Sequence, residues 1–230
     1  EIKHLAKRSN ISVKETLSRL QTAGLDSIPG GGAEILVDRI RDRICRGKET
    51  SKEYLDIHRE AHKLGIPTNC TMLFGTIESI EDRITHLELL RELQDETNGF
   101  QCFVPYPFLP DFTRLPEAQL ATSNEILRTI AISRLMLDNI PHIKAYRMNI
   151  GDSVAQMALV SGADDIDGTV GHEEIMHAAG STTPLDSQVN DLVQLIEDTN
   201  QLSVRRNSIY SKFEVVHSRK DENNALPVLN

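Results

Sequence analysis

The chain has 230 residues, 39% of them hydrophobic, with a formal net charge of -9. That length supports one sizeable core or two small ones, and an acidic balance without a Lys/Arg run argues against a nucleic-acid partner. No apolar stretch approaches the roughly 20 residues of a membrane span, and the start EIKHLAKRSN lacks an export-type apolar segment, so a soluble cytoplasmic protein is expected.

Helix starts punctuate the chain. Ser12 and Glu15 have the S/T-x-x-E spacing of a capping box and open VKETLSRLQTA, which stops at Gly24. The apolar segment LDSIP and the loop PGGGAE (29–34) follow. Thr50 with Glu53 opens SKEYLDIHREAHKL, which ends at Gly65 and leads into TNCTMLFG. Ser79 opens IEDRITHLELLRELQDE, with Leu87, Leu90 and Leu93 on one stripe, and FQCFVPY comes after Gly99. Thr122 with Glu125 opens NEILRTIAISRLMLDNI ahead of HIKAYRM. SVAQMALVS, closed by Gly162, precedes ADDIDGTV. Beyond lie HEEIMHAAG, one more helix in LDSQVNDLVQLIEDTNQL, the segment SVRRNSIYSKFEVV and a polar end.

Helices alternating with short apolar segments predict a parallel α/β sheet of βα units, here with five strands. A complete five-stranded open sheet and a partial (βα)8 TIM-type barrel, its last five units, both accommodate the pattern. The barrel is the expected form: residues 1–180 as its C-terminal part, 181–216 as a helical extension packing on it, and 217–230 as a flexible tail.

In such proteins ligands sit at the carboxyl ends of the strands. The loops there are 29–34, 75–79, 105–113, 148–153 and 167–174, which carry Glu34, Glu78, Asp152, Asp167, Glu173 and Glu174. Three consecutive glycines are costly to order, so Gly30, Gly31 and Gly32 mark either a tight turn or a bare backbone for a ligand. The loop matches neither G-x-G-x-x-G nor a Walker loop. Asp95, Glu96, Asp138 and Asn139 fall in helix-to-strand loops, where a structural role is expected. His58 and His62 lie i,i+4 on a helix and read as surface histidines, as do His172 and His177. Cys45, Cys70 and Cys102 have no metal spacing and read as reduced thiols. The loop in FVPYPFLPDF would either wall a ring-binding pocket or plug one end of a barrel.

Five blocks, AGLDSIPGGGAEIL, TNCTMLFGTIES, LRELQDETNGFQCFVP, AISRLMLDNIPHIKAY and GADDIDGTV, together resemble the menaquinone (futalosine) pathway branch of the radical S-adenosylmethionine enzymes. LMLDNIPHIKAY with GADDIDGT is most similar to the aminofutalosine synthase family; the dehypoxanthine futalosine cyclase family shares PGGGAEI and LQDET-GF. The resemblance covers roughly Glu1 to Pro184. It implies a (βα)8-type barrel, a [4Fe-4S] cluster, S-adenosylmethionine, a small-molecule substrate and an electron donor. The implied reaction adds a 5′-deoxyadenosyl radical to 3-[(1-carboxyvinyl)oxy]benzoate to give 6-amino-6-deoxyfutalosine. Gly31, Gly32, Glu34 and Glu78 would contact S-adenosylmethionine, and Lys144, Arg147, Asp165 and Asp167 would hold substrate. The family's C-x3-C-x2-C cluster motif does not occur in this sequence, so a C-terminal part of such an enzyme is expected. A remnant or binding protein without the cluster, and an open α/β protein holding a nucleotide phosphate at PGGGAE, remain as alternatives.

Overall fold

The computed structural model describes residues 1–111 and 113–218; Phe112 and residues 219–230, which fall in the predicted tail, lie outside the described residues. In chain order the elements begin with helices α1 (Ile2–Ser9), α2 (Val13–Thr22), α3 (Asp38–Ile44) and α4 (Ser51–Lys63). Strand β1 (Thr68–Phe74), α5 (Ile80–Thr97), β2 (Phe100–Pro107) and α6 (Ser123–Met136) follow. Next come β3 (His142–Ala145), α7 (Arg147–Ile150), α8 (Asp152–Leu159) and β4 (Asp165–Ile166). The chain continues with α9 (Ile175–Ala178), α10 (Val189–Glu197), β5 (Val204–Arg206) and β6 (Phe213–Val215).

The helices start where their caps lie. Ser12, Thr50 and Thr122 accept from the amides of Glu15, Glu53 and Glu125 at 3.1–3.2 Å. Each cap satisfies an amide that the first turn leaves without an intrahelical partner. Ser79 and Asp82 complete a reciprocal capping box on α5.

Strands β1 to β4 form a parallel sheet in that order, so the fold is α/β and corresponds to part of a barrel. The expected count of five strands needs correction. LDSIP supplies only an isolated parallel bridge, Ile28 to Thr68. Pro29 has no N–H to extend a ladder, and Gly30 turns away at φ 77°.

Sheet pleating sorts the side chains into two sets. Cys70, Met72 and Phe74 of β1, Phe103 of β2, and Ile143 and Ala145 of β3 are buried against Leu87, Leu90 and Leu93 of α5 and Ile126 and Ile130 of α6. Full burial of one large side chain of this kind contributes about 1.5–3 kcal/mol. The alternate positions, Thr71, Leu73, Val104, Tyr106, Lys144, Asp165 and Asp167, line the other, inner face.

The expected helical extension needs correction: α10 is helical, but SVRRNSIYSKFEVV forms an antiparallel hairpin of β5 and β6. It crosses the inner face near the amino ends of β2 to β4, where Gln101 donates to the Ser208 carbonyl at 3.4 Å and His142 stacks on Tyr210. Helix α10 packs beside α8, with Leu192 and Val193 buried and Gln156 donating to the Leu195 carbonyl at 3.1 Å. Among the described residues no helix is long and apolar enough to cross a membrane.

Candidate functional site

The glycine loop is built from its carbonyls. Gly30 O accepts from the Tyr54 hydroxyl at 2.7 Å and from Thr71 Oγ1 at 3.1 Å. Arg41, 3% exposed, donates to the carbonyls of Gly32, Ala33 and Glu49. Glu34 O accepts from Leu73 N at 2.9 Å, which ties the loop to the end of β1. Ala33, Ile35 and Leu36 are buried in the main core beneath. Gly31 and Gly32 form the turn, and no acceptor for their amides is found among the described residues, whereas Ala33 is fully buried. Gly31 is exposed, and a Cβ there or at Gly32 would meet nothing within 4 Å. Beside the loop runs a groove of about 590 Å³ lined by Leu25, Gly31, Gly32, Lys48, Tyr54 and Ile57.

Glu34 sits at φ 47°, in the left-handed region that a non-glycine residue occupies at a cost. Its carboxylate takes Lys48 Nζ at 2.6 Å across the groove's rim. Glu78 has a different environment. Its side chain is fully buried and accepts from Gly75 N, Thr76 N, Thr76 Oγ1 and Arg83 Nε at 2.6–2.8 Å. Those donors fill a carboxylate's capacity, so Glu78 shapes the GTIES loop rather than presenting an open oxygen to a ligand.

The inner face carries the second group of predicted residues. Lys144 Nζ lies 3.4 Å from Asp165 Oδ2. Arg206 grips the same carboxylate with Nε at 2.9 Å and Nη2 at 2.6 Å, and the Tyr210 hydroxyl donates to it at 2.7 Å. Burial pushes the Asp165 carboxyl up, but these donors outweigh it and hold it below the usual carboxylate range. Arg147 is completely buried. It donates through N to Asp167 Oδ1 at 2.5 Å and through Nη1 to Asp152 at 2.9 Å, so its charge is met within the chain. Burial raises the Asp167 carboxyl, and its Oδ2 has no hydrogen bond, standing 3.7 Å from Arg147 Nε. Above them Tyr106 and Tyr146 meet edge to face, ring centroids 5.2 Å apart, and Tyr146 donates to Glu173 at 3.3 Å.

Two groups thus emerge: Gly31 and Gly32 at the groove, with Glu34 beside it through its pair with Lys48, and Lys144, Asp165, Asp167 and Arg147 on the inner face, with Glu78 apart in its own loop. Arg41, Arg206 and Tyr210 were not foreseen. His58 is corrected from a surface to an interior position, and His62 is half-buried. His58 is 3% exposed, and both rings bond to Thr68 Oγ1, at 2.8 and 2.9 Å, because α4 lays this face on β1. Asp138 and Glu96 pair with Arg91 and Arg59, and Asn139 with Asp95, on the face opposite the loops.

The residues do not fit an iron–sulfur cluster. Among the described residues no three His, Cys, Asp or Glu side chains gather as a metal set. Burial raises all three thiols, Cys102 to about 12, whereas cluster ligation needs thiolates. The groove beside Gly31 and Gly32 has room for a small polar molecule.

Residues 97–218 match the family described as the CofH/MqnC C-terminal region. The chain is 43% identical over 219 residues to an aminodeoxyfutalosine synthase of Thermus thermophilus, covering 94% of this chain and 59% of that protein. It is 40% identical over 214 residues to a 5-amino-6-(D-ribitylamino)uracil–L-tyrosine 4-hydroxyphenyl transferase of Methanosphaerula palustris, covering 91% and 59%. It is 38% identical over 217 residues to a cyclic dehypoxanthine futalosine synthase of Streptomyces coelicolor, covering 94% and 54%. The chain therefore spans little more than half the length of these relatives. The crystal structure of a methylornithine synthase has the same fold over 83% of this chain and 55% of its own, with a TM-score of 0.64 at 18% identity.

Proposed function

This chain belongs to the CofH/MqnC family, whose C-terminal region it carries, and from that premise we propose that it forms the substrate- and S-adenosylmethionine-binding wall of an aminodeoxyfutalosine synthase. One observation carries the reading: buried side chains hold the carbonyls of Gly30, Gly32 and Ala33, and the bare turn of Gly31 and Gly32 lines a groove of small-molecule size. S-adenosylmethionine, when bound, supplies the adenosyl group that this reaction joins to an aryl vinyl ether. Gly31 and Gly32 let it lie against bare backbone, and Glu34 offers a carboxylate to its ribose hydroxyls or ammonium. Lys144, the outermost donor to Asp165 at 3.4 Å, is the inner-face cation offered to a substrate carboxylate, while Arg147 is fully buried against Asp152 and Asp167. Tyr106 and Tyr146 provide an aromatic wall for a benzoate ring. Holding both molecules in register beside a tightly packed wall is how such a site lowers the barrier to joining them.

The identity to the Thermus synthase supports this reading over that of a 4-hydroxyphenyl transferase. Calorimetric titration of the chain with S-adenosylmethionine and then with 3-[(1-carboxyvinyl)oxy]benzoate tests it. Saturable binding of both is the expected result. Preference for L-tyrosine over the vinyl ether would move the chain to the transferase type, and binding of neither would remove the proposal.

A further inference from the structure

Asp165 is shared by two cations. Lys144 and Arg206 both lie within ion-pair distance of it, and the next carboxylate on the inner face, Asp167, is held by Arg147. The other groups around Asp165 add no negative charge at neutral pH. The Cys102 thiol is pushed up to about 12, and burial raises the Tyr210 hydroxyl. His142 is turned to Asp164 at 2.8 Å, which Arg134 also holds. Lys144, Arg206 and Asp165 by themselves carry one positive charge in excess, while Arg147 stands between two carboxylates, Asp152 and Asp167, and Lys144 also favours the charged form of Asp167.

The two cations are not equivalent. Arg206 binds both oxygens of Asp165, and its guanidinium lies 3.9 Å from the Tyr210 ring centroid. Tyr210 in turn stacks on His142, centroids 4.4 Å apart at 15°. The fork is thus clamped in place, and Tyr210 takes a further lone pair. Lys144, on a flexible stem, is the outermost donor at 3.4 Å. A carboxylate saturated by a bidentate arginine and a phenol has little attraction left for an ammonium.

We propose that Arg206 and Tyr210 of the C-terminal hairpin are positioning residues for Lys144: by saturating Asp165 they leave the Lys144 charge free on the inner face for an anionic substrate group, a carboxylate. The choice of carboxylate rests on the function proposed above; the coupling between hairpin and lysine does not. Without the hairpin's donors, Asp165 would pair with Lys144 and cancel the charge the site needs.

The coupling is measured on Lys144 itself. Reductive ¹³C-dimethylation of the chain's lysines, with K144R to assign the signal, gives the Lys144 titration by NMR. Arg206→Gln should raise the proton affinity of Lys144 by at least about threefold, Asp165→Asn should lower it by a similar factor, and the double variant should return near the parent value. Tyr210→Phe, which keeps the ring stack, should move it in the Arg206→Gln direction by about twofold, and this covers failure of the arginine variant to fold. A Lys144 titration unmoved by either hairpin variant overturns the proposal. Isophthalate, an inert aromatic dicarboxylate, is then titrated against its dimethyl ester. Weaker isophthalate binding in Arg206→Gln, recovered in Asp165→Asn/Arg206→Gln, supports a carboxylate ligand. A shifted lysine with no isophthalate binding in any variant keeps the coupling and overturns the carboxylate.

Discussion

Arg41 and Gly32 lie nine residues apart, and the guanidinium of the first donates to the carbonyl of the second at 3.2 Å. The same buried side chain holds Ala33 O and Glu49 O, so one arginine sets the shape of the loop from beneath. Arg41→Ala strands three carbonyls and should cost about 2–4 kcal/mol in urea unfolding. Arg41→Lys keeps the charge but not the fork, and should recover less than half of that loss. A lysine variant as stable as the parent would show that charge alone suffices.

Gly30 and Gly31 should respond oppositely to the same change. A Cβ at Gly30 would come within 1.9 Å of the Asn69 carbonyl at φ 77°, so Gly30→Ala should lose roughly 3 kcal/mol or more. Gly31 faces open space, and Gly31→Ala should stay within about 0.5 kcal/mol of the parent. If the groove takes S-adenosylmethionine, the second variant weakens binding without touching stability, a separation that calorimetry and denaturation read together.

Glu34 combines a left-handed backbone with a side chain paired to Lys48. Glu34→Gly relieves a left-handed conformation worth about 1 kcal/mol and loses a half-exposed pair with Lys48 worth less than about 1 kcal/mol. Stability should therefore change little, while S-adenosylmethionine affinity should fall about tenfold, the 1.4 kcal/mol typical of one charge-assisted contact. Retained affinity would take Glu34 out of the binding site.

Acid should unfold the protein through its buried histidines. Burial lowers His58 and His86 to about 3 and His62 to about 4. Between the ordinary histidine value near 6.5 and these values, the unfolded chain binds more protons than the folded one, so stability falls as pH falls. From pH 7 to 5 each ring should remove roughly 1–2 kcal/mol. His58→Gln should flatten the pH dependence of the urea midpoint over that window; an unchanged slope would assign acid sensitivity to other groups.

What the sequence disclosed was mostly local. The caps at Ser12, Thr50 and Thr122 act over three residues, and the strand-to-helix loops follow from alternation alone. What stayed hidden depends on distant partners. His58 looks like any helix-surface histidine until Thr68 is laid against it. Arg41 binds only main-chain oxygens, which leave no trace in residue identity. The hairpin's strands are three residues each and carry no periodicity long enough to read. Their contacts to Asp165 span 41 and 45 residues.

The pleat of β2 divides its tasks by parity. Phe103 faces the helices, while Val104 and Tyr106 face the other way. Inserting one residue ahead of Phe103 would exchange the two sets, turning the aromatic wall into core and the core phenylalanine toward ligand. Tolerance to variation from Cys102 onward should therefore alternate with a period of two, odd positions scored by folding yield and even positions by what the protein binds, while Phe100, ahead of the register shift, belongs to the core.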